Sequence, residues 1–124
     1  MSYSLMIKCA AISGFLAVAL GAFGAHGLKQ ALSADMMAIF QTAVQYQSIH
    51  TLALLAIAIL YKQFPGAGLL AWSGLSILLG IFIFSGSLYI LSLTGIYWLG
   101  AITPIGGFCF LLGWCFLLIS AFNL

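Results

Sequence analysis

The run Leu52-Ala53-Leu54-Leu55-Ala56-Ile57-Ala58-Ile59-Leu60, the break Tyr61-Lys62-Gln63-Phe64-Pro65-Gly66, and the restart Ala67-Gly68-Leu69-Leu70 decide the fold. An apolar stretch without a charge stops at a lysine and a Pro-Gly pair, and another begins at once. Proline cannot continue a helix interior and glycine tolerates the turn, so the segment reads as a tight hairpin between two helices too apolar for water. A membrane-crossing helix needs about 20 such residues. Working outward, the chain supplies four stretches of that length, at about 5–24, 36–61, 69–93 and 97–122. Ser33 can cap the second with Asp35 in its first turn, where the helix dipole favours an acid. Thr94-Gly95 joins the third to the fourth, and Pro104 falls in the first half of the fourth. The expected fold is an all-α, four-helix transmembrane bundle forming one domain over residues 1–124.

Composition agrees. Of 124 residues, 65% are hydrophobic and 3% are charged, and the mean hydropathy is +1.29. Soluble domains, disordered tails and nucleic-acid binders are excluded, and the lipid bilayer is the expected surrounding. Three lysines, no arginine and one aspartate offer no basic patch for phosphate. Cys9, Cys109 and Cys115 show no CxxC or Cys/His spacing and read as small apolar fillers. Lys8 before an apolar run, with Ala22-Phe23-Gly24 after it, imitates a signal peptide, but the run is long enough to span and is read as a retained helix. Four spans put both termini on one side with Lys8 and Lys62, and Lys29 opposite. The lysine bias favours cytoplasmic termini in a multi-pass protein of the cytoplasmic membrane. Tyr61, Phe64 and Trp72 near one boundary, and Tyr97 and Trp98 near the other, suit interfacial aromatic belts.

Lipid tails are as apolar as leucine, so helices associate through small residues that let backbones approach. Ala10, Gly14, Ala17, Gly21 and Gly24 fall within an arc of about 80° on the first helix. Ser73, Ser76, Gly80 and Ser87 repeat the device on the third, and Gly100, Thr103 and Gly107 on the fourth. Packing is the expected role of Gly14, Gly21, Gly24, Gly80 and Gly107. Polar residues collect toward the Lys29 side: Gln41, Thr42, Gln45, Tyr46, Gln47, Ser48, His50 and Thr51 precede the apolar half of helix 2, Ser85, Ser87 and Tyr89 lie late in helix 3, and Thr103 early in helix 4. A polar layer in one leaflet, opposite the cytoplasmic termini, is expected. Gln41, Gln45 and Ser48 share one face of helix 2, Thr42, Tyr46 and His50 a second, and Gln47 with Thr51 a third. This half of the helix has no side suited to lipid and needs burial in the bundle or in an oligomer.

Gly21-Ala22-Phe23-Gly24-Ala25-His26-Gly27-Leu28, Phe40-Gln41-Thr42-Ala43-Val44-Gln45-Tyr46-Gln47 with His50, Phe84-Ser85-Gly86-Ser87-Leu88-Tyr89, Ile102-Thr103-Pro104-Ile105-Gly106-Gly107 and Gly113-Trp114 carry a resemblance. Together they resemble the YgdD/YwdK-like family of small inner-membrane proteins, a domain of unknown function with eukaryotic relatives. The likeness covers all four helices and shows no clear departure. It implies a four-span bacterial inner-membrane protein and brings no activity, substrate or cofactor with it.

His26 and His50 invite a metal or haem reading, since imidazole is a common ligand. His50 lies about 25 Å along its helix from Ser33 while His26 ends helix 1, so the two meet only if helix 2 protrudes or tilts. Interhelical hydrogen bonds are the expected use of both, with His50 neutral, and no metal or cofactor is expected. Met36 and Met37 read as interfacial apolar contacts. A proton-coupled exporter needs an ionisable group in the membrane, and no span holds a carboxylate. Asp35 stands alone beside the serines and histidines, without a nucleophile motif, so the chain reads as a non-enzyme. A structural or accessory component, as a homo-oligomer or with a membrane-protein partner, is the leading reading. Small-molecule or lipid binding or transport through the polar layer, at His26, Gln41, Thr42, Gln45, Tyr46, Gln47, His50, Ser85, Ser87, Tyr89 and Thr103, is the alternative.

Overall fold

A computed structural model describes all residues, Met1–Leu124, as four long helices and no strands. They are α1 (Tyr3–Leu28), α2 (Ala34–Gln63), α3 (Gly68–Thr94) and α4 (Tyr97–Ala121), each long and apolar enough to cross a membrane. Ser2 and Ser33 cap α1 and α2 by accepting hydrogen bonds from Leu5 N–H and Met36 N–H, both at 3.2 Å. Gly95 closes α3 at φ 72°, the chain's one positive φ, and donates its N–H to Leu91 O at 2.8 Å. Only glycine takes that left-handed turn without steric cost, which explains the two-residue link to α4.

Two details differ from the sequence reading, and the place of Pro104 early in the fourth helix agrees with it. The first helix does not end at Gly24, because Gly24–Leu28 continues it as a π-helical turn. A second π-helical turn, Ile81–Ser85, interrupts α3 at mid-length. Such turns insert a residue into the α repeat and shift the phase of everything beyond them, which periodicity alone does not register. Pro104 does not break an interior ladder. A 3₁₀ segment, Tyr97–Ala101, opens α4, and Pro104 stands in the first turn of the α-helical part, Thr103–Ala121, where its missing N–H removes nothing.

The helices are arranged antiparallel in sequence. α2 is the central element, α1 lies along it, and α3 touches α2 and pairs along its length with α4. α1 and α3 approach one another where Met6 meets Gly74, and a lateral groove separates them beyond that point. Lys62 Nζ stands 5.7 Å from the centre of the Tyr3 ring, so the start of α1 and the end of α2 share one end of the bundle.

Most of the buried apolar residues fall into two clusters. One holds Met6, Ala10, Leu54, Ile57, Ala58, Ile77, Ile81 and Phe110, and the other, toward the Lys29 end, holds Ala43, Leu88, Leu91 and Leu99. Ser13, Gln47, His50 and Thr51 are also buried and lie between them. The glycines set the approach distances. A Cβ on Gly24 would meet the Phe40 ring at 2.6 Å, one on Gly80 would strike the Phe110 ring, and one on Gly106 would strike the backbone of Phe84 inside the π-helical turn. At Gly14 and Gly21 the nearest atoms stand at 3.5 and 3.4 Å, which is ordinary contact. Gly107 has 3.9 Å of room, so the close approach of α4 falls one residue earlier than the stripe of small residues suggested.

Candidate functional site

Gln47 is the hub of the polar interior. Its Nε2 donates to Ser13 O at 2.9 Å and to Ser13 Oγ at 3.3 Å, while its Oε1 accepts from the Tyr89 hydroxyl at 2.6 Å. One carboxamide therefore joins α1, α2 and α3. Ser13 Oγ shares a 2.6 Å hydrogen bond with Thr51 Oγ1, a second tie between α1 and α2. Ser85, brought to face α2 by the π-helical turn that it closes, donates to Ala43 O at 2.8 Å. Ser87 and Thr103 share a 2.6 Å bond between α3 and α4, and Ser73 donates to Gly113 O at 2.7 Å nearer the other end.

His50 has its own set of partners. The Trp114 indole N–H donates to Nε2 at 3.1 Å, and Nδ1 lies 2.8 Å from Tyr46 O. An indole N–H only donates and a carbonyl only accepts, so Nε2 is the unprotonated nitrogen and Nδ1–H is the donor. The pair of bonds defines a neutral imidazole of one tautomer. Its ring stacks on Phe110, with centroids 3.6 Å apart and planes 13° apart. Tyr46 extends the stack toward Phe84, at 4.5 Å between centroids.

This arrangement revises the expected layer. Ser85, Ser87, Tyr89 and Thr103 do bond in the Lys29 half, but Gln47, Ser13, Thr51 and His50 sit midway along their helices and the Ser73 bond lies in the opposite half. The polarity runs as ties through the bundle rather than as a layer in one leaflet. Thr42 and Ser48 return their hydroxyl protons to the carbonyls of Ala38 and Val44 in their own helix. His26 is exposed in the π-helical turn that ends α1, half a helix away from His50, so the histidines do not form a pair. Gln41 and Gln45 are exposed on α2 and their amides have no partner in the chain. Among buried polar side chains, Ser120 Oγ alone lacks a partner.

Ser13, Ser73 and Trp114 are functional partners in these ties that were not among the candidate site residues. Ser73 belongs to the stripe of small residues on the third helix, where its packing role hides its hydrogen bond, and Ser13 carries no signal in the sequence that separates it from its apolar neighbours. Trp114 follows Phe110 by four residues and so shares its helix face, and both meet His50, a pairing that the spacing alone does not give.

One hollow adjoins the ties and another lies apart from them. The groove between α1 and α3, about 310 Å³, is lined by Ile12, Leu16, Leu78, Ile81 and Phe82 together with Ser13, Gln47, Ser85 and Tyr89. A crevice of about 220 Å³ between α1 and α2 is lined by Gly21, Gly24, Ala25, Met37, Phe40, Gln41, Val44 and Gln45.

The chain as a whole has relatives among known proteins. The sequence profile described as a protein of unknown function (DUF423) matches residues 20–107. The chain belongs to the DUF423 family. Three relatives show the extent of the likeness. The UPF0382 membrane protein YwdK of Bacillus subtilis is 45% identical over 111 residues, 90% of each chain. The UPF0382 inner membrane protein YgdD of Escherichia coli K12 is 43% identical over 124 residues, all of this chain and 94% of that one. The UPF0382 membrane protein SSP2132 of Staphylococcus saprophyticus is 46% identical over 114 residues, 92% of this chain and 93% of its own. No solved structure matches. With four apolar helices and relatives so named, this DUF423 chain is an integral membrane protein.

Proposed function

We propose that the protein is a non-enzymatic structural or accessory component of the cytoplasmic membrane that works as a homo-oligomer or in a stable complex with another membrane protein. The observation that carries the reading is the pair of unpartnered amides, Gln41 and Gln45, on the outer face of α2. A carboxamide facing hydrocarbon without a hydrogen bond is costly, and a neighbouring chain supplies what lipid does not. Gln47 and the hydroxyls of Ser13, Thr51, Ser85, Ser87 and Thr103 are engaged in ties between helices, which suits a rigid scaffold. Lys8 and Lys62 on the side of the termini, against Lys29 on the other, favour cytoplasmic termini. Purification of two differently tagged copies in mild detergent tests the reading. One tag should recover the other, or a partner in fixed ratio, whereas a lone monomer across several detergents contradicts it.

The groove between α1 and α3 favours a second reading, binding or transport of a lipid or small apolar molecule from the bilayer. Its walls are apolar and it reaches the Gln47–Tyr89 pair. Retention of a defined molecule through purification, lost when Leu16→Trp fills the groove, would support it. An unchanged lipid complement in that variant would count against it.

A further inference from the structure

We propose that two copies of this chain pair through the outer face of α2, so that Gln41 and Gln45 of each copy hydrogen-bond the same residues of the other across a two-fold axis along the membrane normal. The inference rests on the oligomeric reading and assigns its surface.

Three observations converge on it. The first is chemical: both amides are exposed and unpaired, four residues and so about 6 Å apart along one helix face. The second is the spacing of that face. Ala38, Gln41, Gln45, Ser48, Leu52, Leu55 and Ile59 follow one another at alternating intervals of three and four, so they form one continuous face of the helix, with the spacing that a packed helix pair uses. All are exposed except Ser48, which is half-buried, and Leu52 is 68% exposed. The seam runs about 32 Å, close to the thickness of the hydrocarbon layer.

The third is symmetry. Copies inserted in the same orientation can form a closed pair only about an axis along the membrane normal, and such an axis brings each residue to the depth of its own counterpart. A like-charged pair would repel there. A carboxamide carries both a donor and an acceptor, so two glutamines satisfy one another and fix the register, as a polar seam position does in a coiled coil. A crevice separates Gln41 and Gln45 from α1, whose wall there is Gly21, Gly24 and Ala25, so α1 offers the amides no side-chain partner. The other outward faces, around Phe15 of α1 and Leu118 of α4, are apolar and gain nothing over lipid from a partner.

Cysteine cross-linking in native membranes tests the surface while leaving both glutamines in place. With Cys9, Cys109 and Cys115 replaced by alanine, Ser48→Cys, Leu52→Cys and Leu55→Cys each report on the seam, and Phe15→Cys and Leu118→Cys on the other faces. Cross-linked dimer at the seam should exceed that at the other faces by about tenfold. Dimer trapped chiefly at Phe15→Cys or Leu118→Cys overturns the proposed surface and leaves oligomerisation standing. Monomer at every position, in a protein that co-purifies with no second copy, overturns both. Q41L/Q45L provides the second arm: the dimer dissociation constant should rise about tenfold with helix content unchanged, and Q41N/Q45N, which keeps the amides, should recover part of the loss. An unchanged constant in Q41L/Q45L overturns the glutamine pairing.

Discussion

His50 sits at mid-bundle with Phe110 stacked on its ring and Trp114 donating to Nε2, and its protonation state follows from those partners rather than from any counter-ion. Nitrogen-15 spectra at pH 7 should show Nδ1 protonated and Nε2 bare; a doubly protonated ring would contradict the Trp114 bond. His50→Ala should cost about 1–2 kcal/mol in a reversible unfolding assay, the scale of an interhelical hydrogen bond plus a lost ring contact. His50→Gln should recover part of it. That a buried His in a chain whose spans lack carboxylates would be neutral and bonded across the bundle was readable from residue types. Its partner was not, because Trp114 comes from α4, and the pairing depends on how α4 is rotated against α2.

Between helices, Gly106 and Gly107 separate two readings of the same stripe. Gly106→Ala drives a methyl into the Phe84 backbone, which has no rotamer to yield, and should destabilise by about 1–3 kcal/mol. Gly107→Ala meets only ring atoms at 3.9 Å and should lie within about 0.5 kcal/mol of the parent. Equal effects in a thermal-melt series would remove the close approach at Gly106. Gln47→Leu cuts the ties to Tyr89 and Ser13 together and should cost about 1–3 kcal/mol in the same series. The four helices, their caps and their turns were legible because hydropathy, Ser33, Pro65-Gly66 and Gly95 act locally. The π-helical turn at Ile81–Ser85 was not, since it lies against Gly106 of α4, a contact between residues distant in sequence. The polar residues were legible as a set but not in depth: those of α2 run past its midpoint to Thr51, and Ser73 lay hidden among packing serines.

For the molecule as a whole, orientation and association remain the properties that its surface must carry. Reporter fusions at Leu124 should mark the C-terminus as cytoplasmic, and a fusion in the loop at Lys29 should report the opposite side; the reverse pattern would contradict the weight given to Lys8 and Lys62. The ties through Gln47, Ser85, Ser87 and Ser73 consume the polarity of the interior, whereas Gln41 and Gln45 leave theirs on the outside. Apart from Ser120, a single copy in lipid thus has its interior polar groups paired and two unpaired amides on the outer face of α2, and the proposed second copy would pair them. Native mass spectrometry of the chain released directly from membrane vesicles measures this. With a protomer of 13.2 kDa, the account predicts a species of twice that mass, about 26 kDa, that falls to the protomer in Q41L/Q45L. A protomer mass alone from the unmodified chain, under conditions that keep a known membrane dimer intact, would contradict it.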